Sequence, residues 1–79
     1  KEWIVFPNPV REILQVHSEK EFATVSYRVF NNQSQTVLNG THQLINGTLK
    51  VNTQNLTPGI YFIQIISNGK NETHKVLKL

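Results

Sequence analysis

Side chains able to do chemistry are few in this chain of 79 residues, and none is spaced for it. His17, His42 and His74 stand far apart and form no His-x-x-x-His pair that would aim two imidazoles at one metal. Carboxylates are limited to Glu2, Glu12, Glu19, Glu21 and Glu72, and aspartate is absent, which disfavours an oxygen-rich calcium site. Nothing around these Glu residues suggests the burial that would tune an acid/base pair. Cysteine is absent too, so there is neither a thiol nucleophile nor a disulfide. No Gly-x-Ser-x-Gly elbow and no glycine-rich phosphate loop occurs. The expectation is a chain that is not an enzyme and carries no metal or other cofactor.

Length bounds what remains. Residues 1–79 read as one domain, which at this size buries only about 60% of the surface its unfolded chain exposes. No apolar run approaches the ~20 residues of a membrane span. The opening Lys1-Glu2-Trp3 lacks the pattern of a signal peptide, and the sequence reads as a piece of something longer. Eight Lys and Arg give a net charge of +3, scattered except for Lys70, Lys75 and Lys78. That is too mild for nucleic acid; it suits solubility and the guarding of sheet edges, with steering of an acidic partner the smaller alternative.

The elements that must position any site are strands. Leu56-Thr57-Pro58-Gly59 reads as a type II turn feeding the longest apolar run, Ile60 to Ile66. There Tyr61, Ile63 and Ile65 share one face of a central strand. Trp3–Phe6 and Glu12–His17 are shorter runs, with Leu14 and Val16 on one face of the second. Ser18 to Glu21 is a charged connection. Phe22 to Phe30 places Val25, Tyr27 and Val29 together, and Gln35–Leu38 is a further short strand. Asn39-Gly40 and Asn46-Gly47 are both hairpin signals, because a type I′ turn needs φ > 0 at its two central residues. A run from Thr41 to Ile45 lies between them. Thr48–Asn52 follows, with Leu49 and Val51 inward. Glu72–Leu79 forms the last strand, with Val76 and Lys78 on one face. About seven short strands predict an all-β fold, a small antiparallel sandwich of Ig-like, Greek-key type. The expected core is Leu14, Val16, Val25, Tyr27, Val29, Leu49, Val51, Leu56, Tyr61, Ile63, Ile65 and Val76.

Two patterns carry weaker signals. Asn-x-Ser/Thr triplets begin at Asn32, Asn39, Asn46, Asn55 and Asn71; glycosylation would use them, but turn chemistry explains them better. Trp3, Tyr27, Phe30, Tyr61 and Phe62 could form a sugar-stacking platform. Core packing accounts for most of them, with Trp3 the expected exception.

Phe6-Pro7-Asn8-Pro9-Val10 is rigid, because neither proline offers an N–H to a ladder. It reads as a lock between strands or as a recognition element. With Leu14-Gln15-Val16 after it, it resembles the opening of the C-terminal sorting domains of the type IX (Por) secretion system, carried by cargo proteins of Bacteroidetes. Leu56-Thr57-Pro58-Gly59-Ile60-Tyr61-Phe62-Ile63 is similar to that family's Leu-x-x-Gly-Ile-Tyr strand. Lys75-Val76-Leu77-Lys78 is similar to its terminal Lys-hydrophobic-hydrophobic-Lys. One departure is Ser34, where the family's middle turn has glycine.

The resemblance implies a non-catalytic secretion signal. A cargo domain N-terminal to it waits in the periplasm, and an outer-membrane shuttle protein and translocon bind the tag. A surface sortase then removes the tag at or before its N-terminus, leaving the cargo at the cell surface or secreted. The expected recognition residues are Pro7, Asn8, Pro9, Gly59, Tyr61, Lys75, Val76, Leu77 and Lys78. Lys75–Lys78 are expected as a surface on an exposed terminal edge open to strand addition, self-pairing or a strand swap, the alternative being that they only close the sheet. Pro7-Asn8-Pro9 is expected as the segment that sets the geometry between cargo linker and domain. The alternative is a fibronectin-like carbohydrate- or protein-binding module on a secreted enzyme. A β spacer with no partner is the third reading.

Overall fold

A computed structural model describes residues 2–20 and 24–79. Seven strands run through the described residues: β1 (Ile4–Phe6), β2 (Ile13–His17), β3 (Thr24–Asn31), β4 (Thr36–Gln43), β5 (Thr48–Asn52), β6 (Gly59–Ser67) and β7 (Lys70–Lys78). They form two antiparallel sheets, ordered β1-β2-β5 and β4-β3-β6-β7. The chain changes sheet after β2, after β4 and again after β5. No helix occurs among the described residues. The expected sandwich is the observed one. Glu21 and the expected strand start at Phe22 lie outside the described residues.

Alternation builds the core. β6 buries Tyr61, Ile63 and Ile65 and lies between β3 and β7, the central position expected of it. From the facing sheet come Leu14, Val16, Leu49 and Val51, every second residue of β2 and β5. A period of two leaves the intervening residues of each strand on an outer face. Tyr27 and Leu56, expected in the core, are only partly buried and pack against it. Trp3 and Val10 take full places in it instead, at 3% and 1% exposed. Trp3 is therefore no stacking platform: β1 begins at the sandwich margin, where a large ring closes the end of the core.

Turns corrected two expectations. Asn39-Gly40 is not a hairpin. β4 runs straight through it, because residues on both sides of the pair continue the ladder with β3. Gly40 sits opposite Tyr27, whose ring stacks on His42 at 5.9 Å between centroids. A Cβ on Gly40 would come within 3.1 Å of that ring, so the glycine makes room for an aromatic across the strand. The run expected from Thr41 to Ile45 is accordingly the end of β4, stopping at Gln43. Pro58-Gly59 is not a turn either. The reversal comes earlier, where the Leu56 N–H donates to the Thr53 carbonyl at 2.9 Å, and Gly59 opens β6 with φ 151. That backbone region belongs essentially to glycine.

Other turns follow their residues. Asn46-Gly47 has φ 54 and 76, and Asn68-Gly69 has φ 49 and 75, the paired positive values of a type I′ hairpin. In the β3–β4 loop Ser34 has φ 62, the conformation a glycine would take there. Asn31 enforces it: its side-chain oxygen accepts the N–H of both Gln33 and Gln35 at 3.0 Å.

These two loops give opposite expectations. Ser34→Gly relieves a left-handed residue and should stabilise by up to about 1 kcal/mol, the ~1–2 kcal/mol of strain less glycine's entropy. Gly47→Ala should destabilise by more than about 1 kcal/mol, since φ is 76 and the added Cβ would lie 2.7 Å from the Ser18 carbonyl oxygen. Urea denaturation of the two variants reads both signs.

Candidate recognition site

β7 is an edge strand, and its outer side must satisfy its own N–H and C=O groups. The Pro7-Asn8-Pro9 segment does this for its C-terminal half. Both X-Pro bonds in the segment, Phe6-Pro7 and Asn8-Pro9, are cis. Prolines cannot donate, so the contact passes to the Asn8 side chain. Its Nδ2 donates to the Lys75 carbonyl at 3.0 Å, and its Oδ1 accepts the Leu77 N–H at 2.9 Å. The carboxamide thus stands in for one peptide unit of a neighbouring strand. Val10 then continues with true backbone pairing: its N–H donates to the Leu77 carbonyl at 2.8 Å, and its carbonyl accepts the Leu79 N–H at 2.9 Å. Val10 and Lys78 form a parallel bridge.

The edge from Lys75 to Leu79 is therefore covered, not open as the sequence suggested. A strand could be added there only if Asn8 to Val10 left. Lys78 shares a face with Val76 as expected, but it does not belong to an exposed surface. It is 7% exposed, on the inner face with Val76, because alternation turns it away from solvent. Its Nζ donates to the Arg11 carbonyl, which gives the buried ammonium a partner.

The expected site residues do come together, in two layers. Tyr61 pairs with Val76, and Gly59 pairs with Lys78. The Tyr61 hydroxyl donates to the Thr57 carbonyl at 2.7 Å, which ties the loop before β6 to the core. Tyr61, Val76 and Lys78 form the support. Pro7, Asn8, Pro9, Lys75 and Leu77 lie at the surface. Sequence reasoning overlooked what Val10 and Arg11 do here. The one available signal was an apolar residue just after a proline that ends a non-pairing stretch.

A second tie lies further along β7. Glu72 Oε1 accepts the Glu2 N–H at 3.0 Å, and Oε2 accepts the Trp3 N–H at 3.3 Å. His74 Nε2 lies 2.5 Å from Glu72 Oε2. Burial pushes the Glu72 carboxyl up, but the hydrogen bonds from His74, Glu2 and Trp3 outweigh it and hold the group below its ordinary 4.5. The other histidines have structural duties: His17 bridges Thr48 and Glu19, and His42 stacks on Tyr27. Among the described residues no group of three or more His, Asp or Glu is placed to hold a metal ion.

Of the aromatics proposed as a platform, Trp3 and Tyr61 are buried and Tyr27 faces inward. Phe30 and Phe62 share the outer face of the four-stranded sheet, offset-stacked at 5.5 Å between centroids. The Arg28 guanidinium lies 4.4 Å from the Phe30 centroid. One face of each ring is taken by the other, and Arg28 lies over Phe30.

Two outcomes follow from these contacts. Lys78→Met should cost about 1.5–3 kcal/mol, the range for hydrogen bonds to charged groups, whereas Lys75→Met should stay within about 0.5 kcal/mol. Chemical denaturation separates them. A group with a depressed folded pKa stabilises above its unfolded pKa and loses that contribution as pH falls through the folded value. The melting temperature should therefore drop below about pH 4.5, and Glu72→Gln should make that drop shallower.

Comparison with curated proteins finds no match. The family model for the secretion system C-terminal sorting domain matches residues 4–78. That span holds the Asn8–β7 junction, the Gly59–Ile63 start of β6 and the seven strands. The chain belongs to the C-terminal sorting domains of the type IX secretion system, a family of export signals for the cell surface or secretion and not of catalysts.

Proposed function

We propose that this domain delivers a cargo protein, joined N-terminal to it, from the periplasm through the outer membrane. A shuttle protein and the translocon bind it, and a surface sortase cuts at or before its N-terminus. Residues 1–79 act as one recognition unit. The machinery reads the exposed layer of the site, Pro7, Asn8, Pro9, Lys75 and Leu77. Gly59, Tyr61, Val76 and Lys78 hold that layer in shape.

One observation supports this reading above others. Asn8 and Val10 are hydrogen-bonded along Lys75–Leu79, so segments separated by almost the whole chain present a single surface. A receptor that reads this surface tests whether the domain is folded. An unfolded chain would present the two segments far apart. The covered edge also favours reading by side chains over strand addition.

A reporter fusion tests the proposal. The chain joined to the C-terminus of a periplasmic reporter, in a bacterium with a type IX system, should bring the reporter to the surface or medium. The same fusion ending at Ser67 should leave it in the periplasm. Export of the truncated fusion, or retention of the intact one, rejects the reading.

A further inference from the structure

Outward positions of β3, β6 and β7 form a patch of a particular chemistry. Phe30, Phe62 and Lys75 lie in one row across the three strands, and Ile60 pairs with Leu77 in the next. Arg28 lies over Phe30 and is pinned there: its Nε donates to Thr36 Oγ1 at 2.7 Å. Leu77 is 41% exposed. A stacked pair of rings and two aliphatic side chains thus sit between a fixed guanidinium and an exposed ammonium, roughly 10 Å apart over two strand spacings. Among the described residues of this face, β3, β4, β6 and β7 contribute no carboxylate side chain. Glu72 lies on the inner side of β7, and Glu2, Glu12 and Glu19 lie outside these strands.

We infer that this face docks an acidic polypeptide segment of the export machinery. The segment lays an apolar side chain between Ile60, Phe62 and Leu77 and sets a carboxylate against each of Arg28 and Lys75. This rests on the proposed recognition by that machinery and names the chemistry of the partner. Charge complementarity argues for the acid: two cations flank the patch, and among the described residues no carboxylate side chain on the face competes for them. The apolar centre argues for a polypeptide over an anionic glycan. A polyanion is held by many cations, and here two border an apolar strip. The patch adjoins the Pro7–Pro9 surface through Lys75 and Leu77, so one partner can cover both.

The test uses the same reporter fusion with a photo-crosslinking residue in place of Phe62. The unaltered fusion must be exported; if it is not, the sorting function fails and not this inference alone. Given export, Arg28→Glu/Lys75→Glu should reduce the exported fraction by about tenfold or more, because like charges meet at both flanks. Lys75→Glu/Leu77→Asp alters only exposed β7 positions and should act in the same direction without touching the Arg28 hydrogen bond. Melting temperatures within a few degrees of the parent show that both variants are folded. The adduct at position 62 should be a protease-sensitive polypeptide that both variants abolish. Undiminished export in the folded variants overturns the inference. So does a protease-resistant glycan adduct, or an adduct with a second copy of this chain.

Discussion

Backbone groups along the outer edge of β7 have to find partners, and the way they find them ties residue 8 to residue 77. In so small a sandwich every sheet has two edges, and an unpaired edge invites foreign strands. Prolines at positions 7 and 9 remove two donors from the segment that lies against this edge. A continuous ladder is thus impossible there. The Asn8 carboxamide supplies one donor and one acceptor in its place, and Val10 completes the pairing. A side chain with only an acceptor, or none, could not satisfy both the Lys75 carbonyl and the Leu77 N–H. The residue type follows from the geometry.

That junction also explains how a chain without disulfides keeps its sheets together at this margin. Val10 brings a fully buried side chain into the core directly beside its pairing with β7. Lys78 reaches back to Arg11 from the opposite strand. Further along, Glu72 gathers the Glu2 and Trp3 N–H groups and His74. β1 is three residues long and could not hold its sheet to the other alone. Hydrogen bonds from two directions and the burial of Trp3 and Val10 do so together.

Period-two alternation made much of this legible from the residues alone. Ile63 and Ile65, Leu14 and Val16, Leu49 and Val51 announce their faces because a slip of one residue would expose all of them. Turns were less legible, since their signals are local while their outcome is not. Asn39-Gly40 and Asn46-Gly47 are the same dipeptide, yet only the second reverses the chain. What decides is whether the flanking residues have a strand to pair with, and β3 is long enough to pair on both sides of Gly40. Pro58-Gly59 misled for a related reason: Gly59 opens β6 with an extended backbone of positive φ and does not reverse the chain. Trp3 and Lys78 were misplaced because closeness to the end of a sequence says nothing about depth. The Asn8 junction was hidden for the same reason, being a contact between side chain and backbone that leaves no periodic trace.

Division of labour between the two faces of β7 gives the site its meaning. The two lysines of Lys75-Val76-Leu77-Lys78 look equivalent in sequence, and alternation together with an odd spacing makes them opposites. Lys78 is spent inside, on the Arg11 carbonyl, while Lys75 stays in water beside Phe62. A motif with a lysine at each end is then not a basic patch. It is one structural cation and one surface cation, held in register by Val76 inward and Leu77 outward. A sorting domain has only its surface to communicate with, so the outward half must be kept rigid by the inward half. A slip of β7 by one residue would bury the surface charge and expose the structural one, undoing both roles at once.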